Sequence, residues 1–200
     1  MTQVSLAPRI KLYSLGSPAP PVADDWLALP RLAERAGETF VFGDGSHPTT
    51  RLCAGVVDVL CRQRRPEAVL DVGTGTGVLA RIARARGATF VVGTDIDSDA
   101  LASADAHARL DEHSVAIELT IASPDHWGER FDLVVANILA EPLRELASSL
   151  HRALRPGGIL LLSGFTRPQA PALRVLYESL GLTCITESHL EDWSLLRFDL

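Results

Sequence analysis

Two hundred residues, 46% of them apolar and 22% charged, describe one globular domain and exclude wholesale disorder. A chain of this length buries roughly 70% of its unfolded surface, so neither a disulfide nor a metal is needed for folding. Nineteen basic against 25 acidic residues give a net charge of −6, which argues against a generic nucleic-acid binder while leaving a local basic patch open.

Residues 1–45 are dense in punctuation, with Pro8, Pro18, Pro20, Pro21, Pro30, Gly37, Gly43 and Gly45. The run Ser17-Pro18-Ala19-Pro20-Pro21 fits neither a helix nor a central strand and reads as an extended arm. A short helix is expected over 24–36, interrupted at Pro30. The chain therefore divides into a proline-rich arm, 1–45, and a main domain, 46–200.

From Ser46 the signals alternate. Ser46-His47-Pro48 opens a helix that runs to about Arg62 and buries Leu52, Val56, Val59 and Leu60. Ala68 to Val72 is a short apolar strand, Val78 to Arg86 a helix, and Phe90 to Asp95 a second buried strand. A helix follows over Ser98–Leu110, capped by Asp97 or Ser98, then a strand over Val115–Ile121 and another over Phe131–Ala136. Glu141 to Leu154 is helical, and Arg155-Pro156-Gly157-Gly158 is a sharp stop before the strand Ile159–Ser163. The last elements are a helix over Pro168–Leu180 and strands over Leu182–Glu187 and Trp193–Phe198.

Strands alternating with helices of 10–15 residues imply a parallel sheet covered on both faces. The final two strands have only Glu191-Asp192 between them, so the last is expected to run antiparallel. The reading is an α/β, Rossmann-like sheet of seven strands with a closing hairpin, as in class I S-adenosylmethionine-dependent methyltransferases.

Ligands of open α/β sheets sit at the carboxyl ends of the strands. Asp71-Val72-Gly73-Thr74-Gly75-Thr76-Gly77 ends the first of these strands, and its glycines let bare backbone approach a ligand. A dinucleotide fingerprint would place its third glycine where Val78 stands. A pyrophosphate would also avoid the carboxylate of Asp71. S-adenosylmethionine has no phosphate and carries an ammonium that Asp71 can meet, so the loop favours it over NAD. Asp95 ends the second strand, where a carboxylate can accept bonds from two ribose hydroxyls. Ile96 is placed either on an adenine face or in the core. Asn137 ends a third strand. Its carbonyl oxygen can hold an attacking amine, and turn formation is the plainer role.

Three cysteines (Cys53, Cys61, Cys184) without a C-x-x-C, and six histidines without an H-x-x-x-H pair, indicate no disulfide framework and no metal site. With no apolar signal core and no span-length apolar run, a reducing cytoplasm is the expected location.

Phe42-Gly43-Asp44-Gly45-Ser46-His47-Pro48-Thr49-Thr50 resembles the pattern F-G-T-G-x-H-x-T-T. The glycine loop, Val92 to Asp97, Val134 to Ala140 and Leu154 to Gly164 follow in family order. Over about residues 40–200 the chain resembles the PrmA family, which methylates a protein of the large ribosomal subunit. The resemblance implies S-adenosylmethionine as methyl donor, and cofactor contacts at Thr50, Gly73, Asp95 and Asn137, with Asp71 and Gly75 in the same loop. It also implies Asn137 as the catalytic residue and a protein amine, lysine or N-terminal, as acceptor. Two departures bear on substrate. Only about 40 residues precede the shared core, where the family pattern has a recognition domain, and Asp44 replaces a threonine. A small-molecule or other non-ribosomal acceptor is the alternative. No membrane partner is expected.

Overall fold

The computed structural model describes residues 3–14, 25–32, 41–111 and 116–200. Its main sheet has seven strands: β4 (Ala68–Val72), β5 (Phe90–Thr94), β6 (Glu118–Thr120), β7 (Phe131–Asn137), β8 (Leu154–Thr166), β9 (Thr183–Leu190) and β10 (Trp193–Asp199). Their spatial order is β6-β5-β4-β7-β8-β10-β9. The first five are parallel, and β10 runs antiparallel to both β8 and β9. Strand order reverses between β4 and β7, which sets the ligand crevice there. This is the class I methyltransferase sheet, with its closing hairpin.

Burial on both faces explains the continuous apolar runs. Along β4, β7 and β8, side chains alternate between two cores. Val69, Leu133, Val135, Ile159 and Leu161 pack toward helices α1 (Pro48–Arg64) and α2 (Val78–Ala85). Leu70, Val134, Ala136, Leu160 and Leu162 pack toward α4 (Ala140–Glu145), α5 (Ala147–Ala153) and α6 (Ala170–Ser179). Helix α3 (Ser98–Ala108) is capped by Asp97, whose side chain accepts the Asp99 N–H.

Several expectations need correction. Leu27–Arg31 is strand β3, not helix. It pairs in parallel with β2 (Ile10–Ser14), which pairs antiparallel with β1 (Gln3–Ala7). The strand tolerates Pro30 because β3 lies at a sheet edge, where a missing N–H costs no ladder bond. The Ser17–Pro21 run and residues 24 and 33–36 of the expected helix lie outside the described residues.

Helix α1 buries Cys53, Ala54, Val57, Leu60 and Cys61, while Leu52 and Val56 are partly buried and Val59 is exposed. Small residues let this helix lie close to the sheet, and the larger aliphatics flank the contact. The sharp stop at Arg155–Gly158 is instead the start of β8, with a register irregularity opposite Phe131 and Leu133 that absorbs Gly157. The helix expected over 141–154 is broken in two at Leu146. Of the strand expected over 115–121, Glu118–Thr120 is extended as β6.

Candidate active site

A cavity of about 720 Å³ opens at the carboxyl ends of β4, β5 and β7, within the size range of small-molecule sites. Its floor is the glycine loop. Gly73 and Gly75 have φ of +72° and +54°, in the left-handed region that favours glycine. The Gly73 and Thr74 amides both donate to the Thr94 carbonyl, at 2.8 and 2.9 Å, tying the loop to β5. A Cβ at Gly75 would run into the Phe42 carbonyl oxygen. That oxygen accepts the Thr76 N–H at 3.0 Å, and the Gly43 carbonyl accepts the Thr76 hydroxyl at 2.8 Å. Residues 42–43 are therefore strapped directly onto the loop.

Asp95 stands at the end of β5, half-buried on the cavity wall. One carboxylate oxygen accepts the Gly75 N–H at 3.0 Å and the other the Asp97 N–H at 3.1 Å. An ionised carboxylate has about four acceptor positions, so each oxygen keeps capacity for a ligand hydroxyl. Ile96 is 99% exposed and lines the cavity, which settles its placement outside the core.

Across the cavity, Asn137 ends β7 and is 8% exposed, and its buried Oδ1 has no protein partner. Alternation along β7 puts Asn137 on the same sheet face as Leu133 and Val135, toward α1. Gly164 on β8 lets the Ile138 backbone pass close, since a Cβ there would overlap the Ile138 carbonyl.

Thr50 and Asp71 are placed differently from the other candidates. Both are 1% exposed and neither lines the cavity. One Asp71 oxygen accepts the Thr74 hydroxyl at 2.8 Å and the Ala80 N–H at 3.2 Å, so the carboxylate braces the glycine loop from beneath. Its other oxygen and the Thr50 hydroxyl are buried without partners. Asp44 also stays off the cavity: its carboxylate accepts the N–H and hydroxyl of Ser46 and caps the local turn.

Burial raises the Asp71 carboxyl to about 6, mainly by desolvation. Hydrogen bonds from Thr74 and Ala80 oppose the rise, and the charge of Asp95 adds a smaller push. Between 3.8 and about 6 the folded protein holds a proton that the unfolded chain has lost. Stability contributed by this group is thus present below that window and lost as pH rises through it. A rise of roughly two pKa units corresponds to about 2–3 kcal/mol. In thermal melts run from pH 4 to pH 7, the parent protein is expected to show this loss and Asp71→Asn to lack it. Parallel pH profiles for the two proteins would contradict the assignment.

The cavity mouth carries His47, which the family resemblance places in a site segment, and two aromatic rings that it does not assign there. His47 caps α1, its Nδ1 accepting the Thr49 N–H at 3.3 Å. Its ring lies 5.0 Å from Phe42 and 4.7 Å, edge-on, from Trp193. All three line the cavity, with Leu139, Pro142 and Leu146 continuing the apolar wall. Phe42 belongs to the Phe42–Thr50 motif. Trp193 follows the hairpin turn, far from any motif, and nothing in its neighbourhood in sequence marks it.

Known proteins resemble this chain over most of its length. The family model described as ribosomal protein L11 methyltransferase (PrmA) matches residues 37–199. A ribosomal protein L11 methyltransferase of Bradyrhizobium diazoefficiens is 44% identical over 160 residues, covering 78% of this chain and 54% of that protein. One from Geobacter sulfurreducens is 41% identical over 157 residues, covering 78% and 51%. The chain spans about half the length of the curated relatives it matches. A crystal structure of ribosomal protein L11 methylase from Lactobacillus delbrueckii subsp. bulgaricus superposes with a TM-score of 0.84 at 28% identity. That superposition covers 99% of this chain and 98% of that one.

Proposed function

The chain belongs to the ribosomal protein L11 methyltransferase family, and from that premise we propose that it is an S-adenosylmethionine-dependent methyltransferase acting on a protein amine, with a ribosomal protein as the acceptor class. The observation that carries this reading is a single cavity bounded by bare glycine backbone, by Asp95 and by Asn137. In this reading residues 46–200 form the transfer domain and the enzyme works in the cytoplasm.

The residues present fit the cofactor. Asp95 has acceptor capacity for adjacent ribose hydroxyls, and Gly73 and Gly75 present bare backbone to the cavity. The buried oxygens of Thr50, Asp71 and Asn137 lack protein partners, a state that costs about 1–3 kcal/mol each and suits a polar ligand or bridging water. Thr50 and Asp71 act from behind the wall, Asp71 by holding the loop. When bound, S-adenosylmethionine supplies a methyl group already activated on a sulfonium.

The protein's contribution is alignment and exclusion of water. The chain's own task is to present the acceptor nitrogen's lone pair toward the donor, the nitrogen's displaced proton leaving to solvent. Asn137 Oδ1 accepts an N–H of the incoming amine and so fixes its direction. A carboxamide is too weak a base to take the proton. Phe42, His47 and Trp193 wall the mouth and keep bulk water from the reacting atoms.

Asn137→Ala is expected to lower turnover about a hundredfold, the scale on which misplaced reactants lose rate, with melting temperature nearly unchanged and any loss of cofactor affinity smaller than the loss of turnover. Steady-state kinetics beside calorimetry checks this. Wild-type kcat in the variant would remove Asn137 from the reaction. The activity itself is tested by incubating the protein with methyl-labelled donor and a bacterial lysate. A labelled ribosomal protein band is expected, and label recovered in a small molecule other than the donor, with no labelled protein band, would transfer the acceptor to the small-molecule class.

A further inference from the structure

The small N-terminal sheet backs the strap that holds the glycine loop. Leu6 and Leu12, both buried, lie against Gly45, where a Cβ would meet the Leu12 side chain at 2.8 Å and that of Leu6 at 3.1 Å. At the end of β3 the Arg31 guanidinium donates to the Asp44 carbonyl at 3.4 Å. Residues 44 and 45 directly follow Phe42 and Gly43, whose carbonyls fix Thr76. Two side chains tie the end of β3 to the main domain. Arg81 of α2, buried, donates to the Pro30 carbonyl at 2.7 Å and to both oxygens of Asp111 at 2.8 and 2.7 Å. His107 of α3 accepts the Leu32 N–H on Nε2 at 3.2 Å.

The two ties differ in how they respond to acid. A guanidinium stays charged at any working pH, whereas His107 holds Leu32 only as a neutral ring. Its Nδ1 lies 2.8 Å from the Ser103 carbonyl, which can only accept. Nδ1 therefore carries the proton, and Nε2 keeps the lone pair that receives the Leu32 N–H. A second proton turns Nε2 into a donor facing a donor. The ring is 8% exposed, so water is poorly placed to replace the lost bond. The charged groups around it are Arg81 from α2, Arg31 from β3 and Asp111 beyond α3. Burial lowers the ring from its ordinary value, the Ser103 carbonyl opposes this, Arg81 adds to it, and Asp111 and Arg31 exert smaller, opposing effects. Stability from this tie is thus present above the ordinary histidine value and lost as pH falls through the lowered one. Leu6, Ile10, Leu12 and Leu29 share one apolar core with α1 and α2, which does not titrate, so acid frees the end of β3 and not the whole sheet.

We propose that His107 is a positioning residue for the cofactor loop: its neutral ring latches the end of β3, and protonation releases that end and loosens the backing of the strap at Asp44 and Gly45. The affinity test rests on the methyl-donor reading of the cavity. A second test, amide exchange, needs no cofactor, so the two readings can fail separately. Calorimetric titration of the full chain with S-adenosylmethionine at pH 7.5 and pH 5 compares the parent, His107→Gln and His107→Leu. Glutamine places a non-titrating acceptor where Nε2 stands, and leucine offers none. The parent is expected to lose about tenfold in affinity on acidification beyond any loss in the glutamine variant, the scale of one hydrogen bond. The leucine variant should already bind about tenfold more weakly than the parent at pH 7.5. Asp71 titrates in all three proteins and so cancels from the comparison. Without cofactor at pH 7.5, the Leu32 amide should exchange slowly in the parent and the glutamine variant and about tenfold faster with leucine. The comparison of parent with glutamine decides the matter even where leucine prevents folding. The same acid loss in parent and glutamine variant, parent-like binding by the leucine variant at pH 7.5, or equal Leu32 exchange in parent and leucine variant would each overturn the proposal.

Discussion

Asp95→Ala is expected to weaken S-adenosylmethionine binding at least a hundredfold. The carboxylate has two duties that alanine cannot perform. Its oxygens accept the amides of Gly75 and Asp97, holding the glycine loop against the turn that follows β5. Their remaining lone pairs face the cavity and are available to two ribose hydroxyls. Hydrogen bonds to a charged group contribute about 1.5–3 kcal/mol each. Losing two thus costs about 3 kcal/mol or more, and every 1.4 kcal/mol is a factor of ten. Asp95→Asn keeps one carbonyl acceptor and should fall between. Calorimetric titration measures all three proteins, and an alanine variant within threefold of the parent would remove Asp95 from the cofactor site.

The second large effect is expected at Gly75. Gly75→Ala should abolish measurable cofactor binding and lower the melting temperature, because the new Cβ collides with the Phe42 carbonyl that already receives the Thr76 amide. Backbone strain also contributes, since φ is +54°. Gly128→Ala separates the two causes. Gly128 has φ +60°, but a Cβ placed there would meet nothing within 4 Å. It carries the left-handed penalty of about 1–2 kcal/mol without the collision. A small stability loss with unchanged binding is expected at Gly128, and loss of binding at Gly75. Equal behaviour of the two variants would show that the strap formed by residues 42–43 does not shape the loop.

The core of the fold was legible because parallel strands buried on both faces read as unbroken apolar runs. Ala68–Val72, Phe90–Thr94 and Phe131–Asn137 stand within a residue of where hydropathy places them. The small N-terminal sheet was not legible. Pro30 looks like a helix breaker in sequence, and only its edge position makes it a strand residue. The Pro156-Gly157-Gly158 run has the composition of a turn, yet its backbone continues as β8.

At the site, position along a strand was readable, but depth was not. Asp71 and Asp95 both close strands beside glycines. One lies buried beneath the loop, bonded to Thr74 and Ala80, and the other faces the cavity. Position along the sheet decides that difference: Asp71 lies inside β4, level with Gly93, whereas Asp95 lies beyond the end of β5 at the cavity edge. The aromatic mouth depends on tertiary contact between residues 42, 47 and 193, a proximity that hydropathy patterning does not carry.

Whether the cleft holds a methyl donor is decided by calorimetry of the wild-type chain with S-adenosylmethionine. A saturable exotherm or endotherm with one donor molecule per chain is expected, also obtained with S-adenosylhomocysteine and absent with NAD. A flat titration with the methyl donor, or saturable binding of NAD in its place, would contradict the assignment of this cavity.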